Sequence, residues 1–139
     1  MAITILTDAL IIVNGVTLSD HAKKVTLGDE REKKDITAFG ATNRAYGKGL
    51  GDATMSVDFY QDFAASKVHA TLQPLIGGTT PFTVEVRGTS AARSATNPAY
   101  VMSALLFTYP MLDGEVGEPS TATYEFANAS QTGIQYLTS

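Results

Sequence analysis

The sequence predicts a mainly β protein: two packed antiparallel sheets, a β-sandwich or small barrel, with one flanking α-helix. Three observations carry this expectation. Apolar and polar residues alternate in Ala53–Tyr60, Phe82–Arg87 and Thr121–Phe126, the period-2 pattern of half-buried strands. The connections between such runs are short, as antiparallel architectures require. One stretch, 64–76, instead spaces its apolar residues helically. A length of 139 residues fits a single domain over 1–139. A hydrophobic fraction of 44% is enough for a core.

In chain order, residues 1–8 read as an N-terminal arm with Ile3, Ile5 and Leu6 available to dock. Ala9–Val13, Asn14-Gly15 and Val16–Leu18 form a hairpin signal, because Asn-Gly supplies the positive φ angles of a type I′ turn. Ala22–Ile36 places Val25, Leu27 and Ile36 around the charged run DEREKKD. That run reads as a strand or hairpin edge standing in solvent, with a helix face as the alternative. Charged edges also block unwanted strand pairing. Ala38–Gly51 reads as a long loop holding Gly40, Gly47, Gly49 and Gly51, with Asn43, Arg44, Tyr46 and Lys48 among them. Loops of that length are usually functional or disordered. Asp62 stands at an N-cap position before a helix over 64–76, with Val68, Leu72 and Ile76 as its stripe and Gly77-Gly78 as its stop. Pro74 disfavours helix at Gln73. Phe82–Arg87, Pro98–Tyr109, Thr121–Phe126 and Gly133–Leu137 complete a count of seven or eight strands.

Composition narrows the function classes. The formal net charge is -4, with ten basic residues scattered among fourteen acidic ones. Capture of duplex DNA needs clustered Lys and Arg, so passive repulsion fits this chain better. There is no Cys, which removes disulfides, thiolate metal sites and cysteine nucleophiles. No apolar run approaches the ~20 residues of a membrane-spanning helix. Asp8 precedes the most apolar early run, Ala9–Val13, and no basic segment leads into it, so no signal peptide is read.

Candidate catalytic signals are weak. Gly47–Gly51 (GKGLG) lacks the GxxxxGK[ST] pattern, and a strand rather than a helix follows it. His21 and His69 are the only histidines, neither with a second ligand at metal spacing. No GxSxG nucleophile elbow occurs. Asp58 and Asp62 flank Phe59-Tyr60, but alternation turns Asp58 to solvent and Asp62 serves as a cap. The expectation is a non-enzyme with no cofactor and no bound metal. The charged run Asp29, Glu30, Arg31, Glu32, Lys33, Lys34 and Asp35 reads equally as a solvated edge or as a subunit-to-subunit ion-pair surface. Exposed pairs contribute only ~0–1 kcal/mol each, so such a surface sets register more than affinity.

The segment ITAFGATNRAYGKGLGDATMSVDFYQDF carries a resemblance. Its ordered features are Thr37, Phe39-Gly40, Arg44-Ala45-Tyr46, Gly49-Leu50 and Asp58–Phe63. Val68–Gly77, Asn97-Pro98 with Tyr100, and Gly114–Glu118 extend it, so that it covers roughly Val13 to Thr132. In this order the features resemble the tail tube proteins, or major tail proteins, of long-tailed bacteriophages. The resemblance implies two packed antiparallel sheets with a flanking helix. It implies six copies closing into a ring, and rings stacking helically into a tube whose strands merge around a lumen. The implied partners are further copies of the chain, a tape measure protein in the lumen, and tail terminator and baseplate or distal tail proteins. Double-stranded DNA would pass non-specifically during ejection. The implied location is the virion tail, assembled in the host bacterial cytoplasm, with no membrane insertion.

On that reading, the loop residues Phe39, Gly40, Arg44, Tyr46, Lys48, Gly49 and Leu50 cross onto a neighbouring subunit. Phe39 and Tyr46 are the anchors, and Arg44 and Lys48 the pairing charges. Asp29–Asp35 supplies inter-ring or edge charges. The polar faces of the best strands (Thr54, Ser56, Asp58, Thr121, Thr123 and Glu125) are the lumen-facing candidates. The alternatives are a capsid decoration protein, a tail terminator, or a baseplate-associated β-sandwich binding module. Binders of that last kind present surface aromatics on a rigid face, whereas this chain has no Trp and scattered Tyr residues.

Overall fold

A computed structural model describes Ile3 and residues 5–138. Met1, Ala2 and Thr4 of the expected arm, and Ser139, lie outside the described residues. The fold is mainly β and sandwich-like. Its strands are β1 (Leu10–Val13), β2 (Val16–Thr17), β3 (Ala22–Asp35), β4 (Tyr46–Tyr60), β5 (Phe82–Arg87), β6 (Ala99–Leu105), β7 (Thr121–Asn128) and β8 (Gln135–Leu137). The sole α-helix among the described residues is α1, Val68–Leu72.

The expected pair of sheets is hydrogen-bonded into one antiparallel sheet in the order β2-β1-β5-β6-β7-β4-β3, with β8 beside β6. The join is narrow. β6 and β7 share only the pairs Ala104↔Asn128 and Leu105↔Ala127, while the start of β6 pairs with β8. One half is therefore β2-β1-β5-β6-β8 and the other β7-β4-β3. Both contribute to a single core, in which Ile11, Val13, Val84 and Val86 from the first half meet Met55, Val57, Phe59, Tyr124 and Phe126 from the second. The Phe82 and Phe126 rings meet edge-on across it at 5.9 Å. Alternation explains the placement, since each of these side chains lies on the apolar face of its strand.

Local chemistry sets the ends of the elements. Asn14 and Gly15 take φ values of 49° and 81°, the turn expected from Asn-Gly. The helix is shorter than the expected 64–76. Its N-cap is Lys67, with no side-chain cap bond, and Gln73–Leu75 continues as a 3₁₀ turn. Asp62 does not cap it. Its carboxylate instead accepts from the Ala64 N–H at 2.9 Å and from His21, which keeps 62–66 in turns. The expected strand Pro98–Tyr109 contracts to β6, and Tyr109 leaves the ladder to pack its ring on Tyr124 at 5.6 Å. No helix among the described residues is long and apolar enough to cross a membrane.

Candidate functional site

The largest departure from the expected layout is the 38–51 loop. Most of its glycines lie in a strand: β4 begins at Tyr46 and runs 15 residues, and β3 runs 14. The two pair from Ala22↔Phe59 to Asp35↔Tyr46, leaving a tip of residues 36–45. Glycine weakens a strand in isolation, so composition alone suggested a loop. Pairing with β3 overrides it, and the short side of each glycine admits a long one opposite. A Cβ on Gly49 would lie 2.8 Å from Glu32 Cβ, and one on Gly51 2.7 Å from an Arg31 guanidinium nitrogen. Two register shifts, Ala22/Lys24 and Arg31/Lys33, mark β-bulges, which bend a hairpin and strengthen its twist. Leu50 sits at the second of these and is exposed.

The hairpin has two zones. Near the body, β4 pairs with both β3 and β7, the latter from Thr54↔Ala127 to Tyr60↔Thr121. Beyond Thr54, β3 and β4 pair only with each other among the described residues. Every residue from Asp29 to Tyr46 is exposed. The outer hairpin thus offers free backbone N–H and C=O groups on both of its edges, the pattern that templates pairing with another chain.

The tip is ordered by its own bonds. Ile36 N–H donates to the Ala45 carbonyl at 3.0 Å, and Ala45 N–H donates to Thr37 Oγ1 at 2.8 Å. Gly40 takes φ 89°, which an L side chain resists. Phe39 and Arg44 border a surface hollow of about 570 Å³. Phe39, Leu50 and Tyr46 are exposed.

The charged run lies in β3, as a strand edge, and its charges are largely paired within the hairpin. Arg31 bonds Asp29, Lys34 Nζ lies 2.5 Å from Glu32, and Arg44 donates to Asp35 at 2.9 Å. Lys33 Nζ stands 4.2 Å above the Tyr46 ring. Two backbone and hydroxyl bonds from Thr37, with the Arg44 bond behind them, hold the Asp35 carboxyl below its ordinary value.

The six lumen-facing candidates fall on one surface. Cross-strand partners share a face, and the pairs Ser56↔Glu125, Asp58↔Thr123 and Tyr60↔Thr121 line up with Thr54 on the side away from the core. Thr123 donates to Asp58 at 2.6 Å. Through Lys24↔Asp58, Thr26↔Ser56, Gly28↔Thr54 and Glu30↔Asp52 the surface continues across β3. Its charged groups are Glu30, Asp52, Asp58 and Glu125 against Lys24, four acids and one base.

Two polar clusters escaped the sequence reading. His21 lies between Asp20 and Asp62, at 2.8 and 2.7 Å, with Lys67 Nζ 3.3 Å from Asp20. On the outer face of β5, buried Glu85 accepts from Arg87 Nε at 2.6 Å and from an Arg93 nitrogen at 2.5 Å. Glu85 and Arg87 are two apart on one strand and so visible in sequence. Arg93 is brought in by the 88–98 connection, for which no local pattern speaks. The described residues contain no group of three or more His, Cys, Asp or Glu arranged to hold a metal ion. A scan against protein-family models matches no family, and a search of curated proteins returns no match.

Proposed function

We propose that this chain is a structural subunit that polymerises with copies of itself, and that the polymer is a phage tail tube: hexameric rings stacked around a lumen that conducts double-stranded DNA. The observation that supports this reading is the outer β3–β4 hairpin. It is long, exposed on both faces, unpaired at both edges among the described residues, and anchored to a well-packed body. A free monomer with two such edges is an aggregation hazard. Pairing them with neighbours removes the hazard and builds a continuous wall.

The polar surface of β3, β4 and β7 fits a conduit. Its excess of three negative charges, from four acids against Lys24, would repel phosphate and let DNA slide without sticking. The tape measure protein would occupy the same lumen before ejection. Tail terminator and baseplate or distal tail proteins would meet the two ends. The role is mechanical and requires no catalysis.

Negative-stain microscopy over a concentration series tests the proposal. Hollow tubes, or stacked rings with a central hole, are expected. A second arm replaces Thr37–Arg44 with Asn-Gly, closing the hairpin directly onto the Ile36–Ala45 pair. That variant should remain a folded monomer and form no tubes. A wild-type particle that stays at the 14.7 kDa monomer mass at high concentration overturns the tube. Normal tubes from the shortened variant overturn the role of the tip.

A further inference from the structure

The two ends of β4 carry complementary surfaces. Strand geometry of ~3.3 Å per residue separates Tyr46 from Tyr60 by about 45 Å. At the Tyr46 end, residues 32–48 hold Lys33, Lys34, Arg44 and Lys48 against Glu32 and Asp35, a net +2. At the Tyr60 end, residues 110–120 hold Asp113, Glu115 and Glu118 and no base, a net -3. Both ends also expose apolar side chains. Phe39 is 109% exposed at the tip, and Val116 is 104% exposed at the opposite end, with Met111 and Leu112 also exposed on the same 110–120 segment. The opposite end is fixed to β4: Gln61 N–H donates to the Ser120 carbonyl at 2.9 Å, and its side-chain amide donates to the Met111 carbonyl at 2.5 Å.

We propose that the hairpin tip of one copy docks on the 110–120 segment of a second copy. This rests on reading the hairpin as the joining device and supplies its receiving face. The hollow of about 570 Å³ beside Phe39 and Arg44 receives an apolar knob, and Val116 is a projecting one. Around it, the tip bases face Asp113, Glu115 and Glu118, so opposite charge steers the approach and like ends repel. The receiving segment is already folded. Thr121 N–H donates to the Asp113 carbonyl at 3.0 Å, Glu118 N–H to the Glu115 carbonyl at 3.1 Å, and Gly117 takes φ 87°. Docking therefore orders little new chain. A contact between unlike surfaces is head-to-tail, and such contacts close into rings or propagate as helices. An arrangement joining opposite ends along β4 gives each copy one free tip and one free receiver, which is what an extending assembly needs.

The absence of Cys makes the test clean. Two single variants, Thr42→Cys at the tip and Val116→Cys at the receiver, are mixed and treated with a bis-maleimide. A dimer joined through 42 and 116, identified by peptide mass spectrometry, is expected at least tenfold above the product of Thr42→Cys with Ala91→Cys, an exposed control. It should fall as salt rises, since screening shortens the reach of charge to ~8 Å at 0.15 M. Lys33→Glu with Lys48→Glu should lower it tenfold, and adding Glu115→Lys with Glu118→Lys to the receiver should restore it. No 42–116 product, or one equal to the control, overturns the docking. Tubes without that product overturn the docking and leave the tube standing; the product without tubes does the reverse.

Discussion

The imidazole of His21 donates through Nε2 to Oδ2 of Asp62 at 2.7 Å, tying together segments 41 residues apart. Its Nδ1 faces Asp20 at 2.8 Å. Both partners are carboxylate oxygens, which only accept, so the arrangement favours the imidazolium with a proton on each nitrogen. The Asp20 bond raises the His21 pKa above 6.5, burial opposes it, and the Asp62 bond adds to it. The same bonds lower both carboxyls below 3.8: in Asp20 the His21 bond leads, and in Asp62 the Ala64 backbone bond leads with His21 second. A raised folded-state value gives stability that is complete below pH 6.5 and is lost as pH rises through that value. The carboxylates' share is present above pH 3.8 and is lost in acid. Thermal melts of the wild type and His21→Gln should therefore differ most near pH 5–6, with the wild type higher. The gap should narrow above pH 7. A gap that is constant from pH 5 to 9 would contradict the imidazolium.

Glu85 should be the costliest acid to remove. It is 8% exposed and holds Arg87 and Arg93 together. Burial would raise its pKa, but the Arg93 and Arg87 bonds outweigh burial and leave it below 4.5. The stability this brings is present above pH 4.5 and is lost as pH falls through the lowered value. Glu85→Ala removes the carboxylate that holds two half-buried guanidinium groups, while Arg87 keeps its bond to the Ala91 carbonyl; the expected cost is about 2 kcal/mol. The expected readout is a lower urea midpoint with an unchanged slope. A midpoint equal to the wild type would mean that the cluster is solvated and contributes nothing.

Phe126 and Phe39 should separate folding from assembly. Phe126 is 1% exposed and packs edge-on to Phe82. Phe126→Ala should cost about 3–5 kcal/mol, through lost burial and the cavity left behind. Phe39 touches solvent on all sides, so Phe39→Ala should change monomer stability by no more than about 0.5 kcal/mol. It should nonetheless reduce tube formation. Chemical denaturation and microscopy on the same preparations decide both. Full tube formation by Phe39→Ala would remove the ring from the interface.

How far the sequence could be read depended on whether the deciding contact was local. Val84, Val86, Met55, Val57, Tyr124 and Phe126 announce their faces by period-2 alternation, and Asn14-Gly15 announces its turn. The end of β4 did not announce itself, because Gly47, Gly49 and Gly51 have low strand propensity and are held extended by β3 across the hairpin. The helix is shorter than 64–76 because Asp62, a good N-cap by type, is engaged by Ala64 and His21. Ser66, at φ 61°, breaks the first turns. The outward face of Thr54, Ser56, Asp58, Thr121, Thr123 and Glu125 follows from alternation. Its continuation through Lys24 and Glu30 needs the register, which the bulge at Lys23 shifts by one residue.

The glycines of β4 give the last prediction. Neither Gly49 nor Gly51 has a positive φ, so backbone conformation does not demand glycine at either site. Space does. At Gly51 the atom in the way is the far end of Arg31, 2.7 Å from a new Cβ, and an exposed guanidinium swings aside at little cost. At Gly49 it is Glu32 Cβ, at 2.8 Å, which cannot move without its backbone. Gly51→Ala should therefore assemble normally. Gly49→Ala should shift the strand at the Arg31/Lys33 bulge and misaim the tip. Because this zone buries nothing in the core, both variants should melt within about 2 °C of the wild type. Tube yield is the discriminating measurement: a large loss for Gly49→Ala beside wild-type yield for Gly51→Ala ties assembly to the aim of the hairpin. Equal yields would mean that the tip tolerates that displacement.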